Sequence, residues 1–147
     1  YQMKLTFLGI PKPKQSAKFR AVKGKGKTFV TSYQKKEVKD AERNMAFDAK
    51  SQLPKGFIPY DKPIGVNILY VFPMLRSFSK KKKQAVENGE IIFKETKPDL
   101  TDNLNKGVFD ALEGIVYVND SRICEIGNAR KIYGLKPRTE VEFYELN

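Results

Sequence analysis

The chain has 147 residues, of which 40% are hydrophobic and 31% are charged, and such a composition is typical of a globular protein. We expect a single domain spanning residues 1–147. Lysine and arginine number 28 against 17 acidic residues, so the formal net charge is +11. This surplus favours a polyanionic partner, either nucleic acid or an anionic membrane surface.

Several classes of protein are excluded or disfavoured by residue type alone. The chain has no histidine, which excludes Ser-His and Cys-His catalysis and zinc sites with imidazole ligands. Its one cysteine excludes an internal disulfide framework and fits a reducing compartment. No apolar run approaches the roughly 20 residues of a membrane helix, and no signal-peptide pattern is present. We therefore expect a cytoplasmic protein without a membrane partner.

The N-terminal region predicts a strand, a loop and a second short strand. Residues 4–10 alternate in polarity and place Leu5 and Phe7 on one face. Prolines follow and cannot continue a central strand. Residues 11–27 are predicted to form a basic loop punctuated by glycines, and residues 28–31 a short strand.

The middle of the chain alternates helices and strands. Ser32 is the predicted N-cap of a helix that extends to about residue 53, where a proline stops it. Residues 64–72 are apolar, aromatic and β-branched, which predicts a buried strand. A short helix is predicted to open at Ser79 and to close at Asn88-Gly89.

The C-terminal region predicts a helix, a hairpin and a last strand. The helix begins near Thr101 or Asp102 and ends at Gly114. Residues 115–118 and 122–126 flank Asn119-Asp120 like the arms of a hairpin, with Cys124 as a small buried strand residue. Residues 138–146 are predicted to form the last strand. Because strands and helices lack a regular βαβ period, we predict an α+β fold with one mixed sheet packed with helices.

The strongest candidate site lies in residues 97–106. Asp99 and Asp102 occupy a proline-containing loop at the entry to a helix, and Lys106 follows one turn later. A third acid, Asp120, lies in the predicted hairpin turn that returns to the same region. Oxygen ligands from separate segments suit Mg²⁺ or Mn²⁺. A metal held there would neutralise charge on a phosphodiester and supply hydroxide for attack.

Each of these acids also has a purely structural interpretation. Thr101 or Asp102 would serve as an ordinary helix N-cap, because such side chains accept hydrogen bonds from exposed backbone amides. Asp120 would be an ordinary turn residue. The adjacent lysine and the basic surplus elsewhere favour a joint functional role.

Residues 97–126 resemble the RusA family of Holliday-junction resolvases, whose active-site helix opens with an acidic pair and Asn-Leu-x-Lys. The similar stretches here are Asp102-Asn103-Leu104-Asn105-Lys106, then Phe109-Asp110-Ala111-Leu112-Glu113-Gly114-Ile115-Val116-Tyr117, then Asn119-Asp120. Residues 9–15 and Pro137-Arg138 before the last strand are also similar to the family.

The resemblance implies a homodimeric endonuclease, dependent on Mg²⁺ or on Mn²⁺ in its place, that makes paired symmetric nicks in four-way DNA junctions. Such proteins serve DNA recombination and repair and are often encoded by phage or prophage. It implies that Asp102 and Asp120 are metal ligands and that Lys106 is the lysine near the scissile phosphate. Asp99 would be a further ligand. The family usually places one residue between its first two aspartates, whereas two residues separate Asp99 from Asp102 here. We expect the loop before the helix to absorb the extra residue.

Residues 21–28 satisfy a relaxed phosphate-loop pattern. A phosphate loop leaves a buried strand and enters a helix whose N-terminus binds the phosphates. Here a proline-lysine loop precedes the pattern and a strand-like segment follows it, so no nucleotide cofactor is expected. A basic loop that contacts a DNA backbone is the favoured interpretation. The predicted phosphate contacts are Lys12, Lys14, Lys18, Arg20, Lys80, Lys81, Lys82, Lys83, Lys97 and Lys106.

Two other functions remain open at this point. A non-catalytic DNA- or RNA-binding protein would use the same basic surface, and Mg²⁺-dependent nicking would distinguish an enzyme from it. A metal-dependent phosphatase acting on small phosphates would need no such basic surplus.

Overall fold

The structure is a computed structural model that describes residues 2–13, 18–24, 27–33 and 36–147. It contains seven strands, three α-helices and two short helical turns in these ranges. The elements in chain order are β1 (Gln2–Leu8), β2 (Lys18–Gly24), β3 (Lys27–Tyr33), α1 (Lys36–Gln52), β4 (Ile64–Pro73), α2 (Lys80–Glu87), β5 (Ile92–Phe93), a π turn (Leu100–Leu104), α3 (Asn105–Leu112), a 3₁₀ turn (Asp120–Arg122), β6 (Ile123–Gly134) and β7 (Arg138–Glu145).

Five strands form one mixed sheet in the order β1-β7-β4-β6-β5. The central strand β4 is antiparallel to β7 and parallel to β6, while β1 and β5 pair antiparallel at the two sides. The predicted α+β fold with a mixed sheet is therefore confirmed. The structure also contains a second sheet of two strands, β2 and β3, which was not predicted.

One hydrophobic core joins the sheet to the helices. Alternate residues of β1 and β7 point into it, as the period of two predicts, so that Leu5, Val141 and Phe143 are almost completely buried. The helices contribute Ala49 from α1 and Leu112 from α3 to the same core. The predicted inward faces of the first and last strands are thus confirmed. Among the described residues, no helix is long and apolar enough to cross a membrane.

Strand β1 lies at one side of the sheet, and a glutamine side chain pairs with its outer backbone groups. The Thr6 N–H donates to Gln52 Oε1 at 2.9 Å, and Gln52 Nε2 donates to the Thr6 carbonyl at 2.8 Å. Gln52 is the last residue of α1. The end of the helix is therefore joined to the strand by two hydrogen bonds.

Two predictions for the N-terminal third are wrong. Residues 11–27 are not one loop, because residues 18–24 form β2 and pair with β3. The phosphate-loop pattern at residues 21–28 accordingly lies across two antiparallel strands. Ser32 is not a helix N-cap: it lies in β3 opposite Phe19, and α1 begins at Lys36. The β-branched and aromatic residues before Ser32 continue the strand past it.

The predicted hairpin around Asn119-Asp120 is also wrong. Residues 115–118 form no strand, and Tyr117 makes only isolated bridges with Tyr60 and Glu113. Strand β6 instead extends to Gly134 and pairs in parallel with β4. A parallel partner is distant in sequence, so local turn signals do not identify it. Cys124 lies in β6 as predicted, but it is exposed rather than buried.

Strand β4, helix α2 and the end of α3 agree well with the expectations. Strand β4 and helix α2 have nearly the predicted bounds, and Ser79 is the N-cap of α2, where its side chain accepts from the Lys82 N–H at 3.1 Å. Gly114 follows α3 with a φ of +81°, a left-handed conformation that favours glycine.

Candidate functional site

The segment with the first two aspartates enters α3 through a π turn. The Leu104 N–H donates to the Asp99 carbonyl at 3.1 Å, which spans five residues instead of the four of an α-helix. Both residues between Asp99 and Asp102, Leu100 and Thr101, lie within this π turn rather than in a loop before it. π turns commonly accommodate single extra residues at functional sites.

The interpretation of Thr101 or Asp102 as the helix N-cap is wrong. Thr101 and Asp102 lie inside the π turn, and Asp99 holds the N-cap position before it. The Asp99 side chain makes no capping hydrogen bond with any residue that the structure describes. Asp99, Asp102 and Lys106 are all exposed. These side chains are accordingly available to an external ligand.

A hydrogen bond and a buried leucine hold this segment against the sheet. The Tyr70 hydroxyl, from β4, donates to Asn105 Oδ1 at 2.7 Å. Leu104, beside Asn105, is 1% exposed and belongs to the core. On the other side of the aspartates, Lys131 of β6 donates to the carbonyls of Thr96 and Pro98. The backbone around Asp99 and Asp102 is thus attached at both ends.

Three carboxylates converge on the C-terminal side of α3. One oxygen from each of Asp110, Glu113 and Asp120 lies within 4.8 Å of the other two, and we call this group the acidic cluster. Asp110 belongs to α3, Glu113 follows it, and Asp120 opens the 3₁₀ turn. Asp99 and Asp102 lie outside the acidic cluster. The structure thus brings Asp120 together with two acids that the sequence analysis missed.

The local fold positions Asp120 through its neighbour Asn119. Asn119 Oδ1 accepts from the Ser121 N–H at 2.9 Å, and Asn119 Nδ2 donates to Glu113 Oε1 at 2.9 Å. Asn119 therefore caps the turn, and the Asp120 carboxylate is not needed for that role. A signal for the missed residues was present, because Lys106, Asp110 and Glu113 follow one another at helical spacings of four and three.

A buried tyrosine adjoins the acidic cluster and reports its electrostatics. The Tyr117 hydroxyl donates to the Phe109 carbonyl at 2.6 Å. Burial raises the pKa of the Tyr117 hydroxyl far above its ordinary range, and the charges of Asp120, Glu113 and Asp110 raise it further. The Tyr117 hydroxyl therefore stays protonated. The three carboxylates of the acidic cluster make the electrostatic potential near it negative. Hard oxygen donors without histidine or thiolate fit Mg²⁺ or Mn²⁺.

The predicted lysine cluster lies at the positive end of a helix. The first turn of α2 consists of Lys80, Lys81, Lys82 and Lys83. No acidic residue lies in that turn. Cations at a helix N-terminus oppose the helix dipole, so this arrangement costs folding stability. Lys82 Nζ lies 4.3 Å from the centroid of the Phe78 ring, which in turn makes an edge contact with Tyr133 of β6. The lysine cluster is thus attached to the sheet near its edge.

The other predicted phosphate contacts are distributed between described and undescribed parts of the chain. Lys12 is exposed and lines a cavity of about 310 Å³ that also borders Gly107, the residue after Lys106. Lys97 is exposed beside the π turn. Lys14 lies outside the described residues, and Lys18 and Arg20 lie in β2, where the backbone alone is described. The end of β1 and the start of α3 are therefore neighbours at this cavity.

A comparison with protein families confirms the resemblance, and a second comparison finds an uncharacterized relative. A family model described as endodeoxyribonuclease RusA matches residues 9–144. The chain is also 35% identical over 103 residues to the uncharacterized protein YqaN of Bacillus subtilis (strain 168), and the match covers 70% of each chain. The family match includes the π turn, α3 and the 3₁₀ turn that carry the candidate residues.

Proposed function

Because this chain belongs to the RusA family of endodeoxyribonucleases, we propose that it resolves four-way DNA junctions as a Mg²⁺-dependent homodimer. The observation that carries this proposal is the acidic cluster of Asp110, Glu113 and Asp120 beside α3, in a chain with a formal net charge of +11. The carboxylates suit a hard cation, and the basic surplus suits a polyanionic substrate.

Two sets of carboxylates are candidate metal ligands. The family resemblance assigns Asp99, Asp102 and Asp120, and the geometry adds Asp110 and Glu113 beside Asp120. Asp120 is the residue common to both sets, which makes it the most informative residue to change. When bound, Mg²⁺ would neutralise developing phosphate charge and lower the pKa of a bound water. Mn²⁺ offers the same preference for oxygen ligands and would substitute for it.

The side chain of Lys106 has a separate role in this proposal. It is exposed in the first turn of α3, and a lysine ammonium is a compact charge suited to a phosphate oxygen. Its charge would stabilise the negative charge that grows on the phosphate as the bond to the attacking oxygen forms. Lys97 and Lys12 are exposed near the same helix entry and would bind neighbouring phosphates.

Symmetry favours a dimer as the active species. Each chain supplies one Asp120 and one Lys106, hence one cleavage site. Junction resolution needs two nicks related by symmetry, and a two-fold dimer places two equivalent sites in that relationship. The proposal therefore specifies two chains on one branched DNA molecule.

The test compares an end-labelled four-way junction with a linear duplex of equal length. We expect Mg²⁺-dependent paired nicks in the junction, little cleavage of the duplex and the mass of a dimer in solution. Asp120→Asn should abolish nicking and leave junction affinity in Ca²⁺ unchanged, since asparagine keeps the volume and removes the charge. The matched control is Glu87→Gln, which neutralises an exposed acid of α2 and should cleave normally. Tight junction binding without nicking in any divalent cation would instead favour a non-catalytic DNA-binding protein.

A further inference from the structure

We propose that Lys131 is a positioning residue for the reaction, because its ammonium fixes the backbone that leads into Asp99 and Asp102. The proposal rests on the proposed function, in which these two aspartates act on a metal. It concerns a residue of β6 that contacts the chain just before the aspartates, whereas α3 follows them.

Lys131 contacts the segment before Asp99 with both its side chain and its main chain. Its Nζ donates to the Thr96 carbonyl at 2.7 Å and to the Pro98 carbonyl at 2.8 Å. Its own carbonyl accepts from the Lys94 N–H at 3.0 Å. The strand residue therefore holds three positions of residues 94–98.

The chemistry of these bonds suits a clamp. A lysine ammonium has three donors and no acceptor, so two carbonyl oxygens can share it at once. Hydrogen bonds from a charged donor are stronger than those between neutral groups, and both distances here are short. Thr96 and Pro98 lie on either side of Lys97, so the clamp constrains the direction in which the chain reaches Asp99.

The aspartate segment depends on such attachments because of its conformation. Between the Lys131 clamp and the Tyr70–Asn105 hydrogen bond lies the π turn, closed by the bond from the Leu104 N–H to the Asp99 carbonyl. A π turn is a rare conformation that a short exposed segment does not maintain alone. The two attachments therefore define where the Asp99 and Asp102 carboxylates lie. Lys131 acts through the segment it holds, because its donors are directed at Thr96 and Pro98.

The experiment uses the full chain and three variants. Lys131→Met keeps most of the apolar stem and removes the donors. Lys131→Arg keeps the charge and the donors, and Lys136→Met removes one exposed charge as a control. The measurements are hydrogen exchange of the Leu104 amide, Mn²⁺ affinity by calorimetry, single-turnover junction cleavage in Mg²⁺ and junction affinity in Ca²⁺.

We expect Lys131→Met to speed exchange at Leu104 and to weaken Mn²⁺ affinity or cleavage by about 10–100-fold, the range found when residues behind metal ligands are changed. Junction affinity should stay at the parent value, and Lys131→Arg should recover part of each loss. Lys136→Met should match the parent in exchange, metal affinity and cleavage.

Parental exchange, metal affinity and cleavage in folded Lys131→Met would overturn the proposal. Global unfolding of that variant would also overturn it, because Lys131 would then serve overall stability. If the parent chain itself does not cleave, the proposed function fails, and hydrogen exchange at Leu104 still decides whether Lys131 holds the aspartate segment.

Discussion

The Tyr70 hydroxyl donates a 2.7 Å hydrogen bond to Asn105 Oδ1, and this bond joins the central strand β4 to the first residue of α3. Tyr70 is 1% exposed and Asn105 is half-buried, so the bond is partly shielded from solvent. Lys106 directly follows Asn105, so the position of this lysine depends on the same contact.

Loss of this bond should lower stability. Tyr70→Phe should lower the free energy of unfolding by about 0.5–1.5 kcal/mol, the net value of one hydrogen bond, as measured by urea denaturation. A double-mutant cycle with Asn105→Ala should give a coupling energy of about the same size. A coupling energy near zero would mean that the two side chains do not interact in solution.

High pH should destabilise the protein through its buried tyrosines. Burial raises the pKa of both Tyr70 and Tyr117 well above the ordinary value near 10. The folded chain therefore keeps protons that the unfolded chain loses above pH 10, so stability is complete below that pH and falls above it. The free energy of unfolding should decrease by about 1.4 kcal/mol per pH unit for each tyrosine. Tyr70→Phe should show the shallower slope, and equal slopes would contradict the assignment.

The ligand set can be determined by changing acids singly. If the metal lies at the acidic cluster, Asp110→Asn and Glu113→Gln should weaken Mn²⁺ affinity as much as Asp120→Asn does. If the family assignment holds, Asp99→Asn and Asp102→Asn should have that effect while the Glu113 variant binds normally. Calorimetry with Mn²⁺ measures each affinity, and circular dichroism checks that each variant is folded. A parental affinity in all five variants would exclude both sets.

Lys106→Ala should slow cleavage far more than it weakens junction binding. The lysine charge acts on negative charge that is larger in the transition state than in the bound substrate. Single-turnover cleavage and Ca²⁺ binding assays separate the two effects. Equal cleavage rates in the variant and parent would reduce Lys106 to an ordinary surface residue.

The lysine cluster of α2 should show opposite effects on binding and on stability. Replacing Lys80–Lys83 with glutamine should reduce the slope of log affinity against log salt by about 0.9 for each lysine that contacts a phosphate of duplex DNA. The same change should raise or maintain the melting temperature, because it removes cations from the positive end of the helix dipole. An unchanged salt slope would show that these lysines do not contact DNA.

Periodicity predicted much of the fold and failed where partners are distant. Strands β4 and β7 were found because their apolar residues are continuous or alternate, and α2 because Ser79 and Asn88-Gly89 mark its ends. Strand β6 was predicted only in part, since its parallel partner lies about 60 residues earlier in the chain. Residues 28–31 were predicted as a strand and lie in β3, but β2 was missed because lysines and glycines in residues 18–27 obscured its pattern.

Local spacing in the sequence indicated Asp99, Asp102, Lys106 and Asp120 as candidate residues, and their roles stay predictions. The proximity of Asp110 and Glu113 to Asp120 depends on how residues 113–120 turn back. The bridge between Tyr117 and Tyr60 holds that turn, and no local sequence pattern predicts this contact. The two residues between Asp99 and Asp102 were visible in the sequence, whereas the π turn that contains them was not.

The pairing of Gln52 with Thr6 has a consequence for how two chains can associate. An outer strand with free backbone groups invites a strand from another molecule to extend the sheet, which leads to unregulated aggregation. Here the carboxamide of Gln52 already occupies both the N–H and the carbonyl of Thr6. A second molecule that docked along β1 would have to displace this side chain, so continuous sheet growth through β1 is opposed. Self-association of this chain is thereby directed toward surfaces other than that strand.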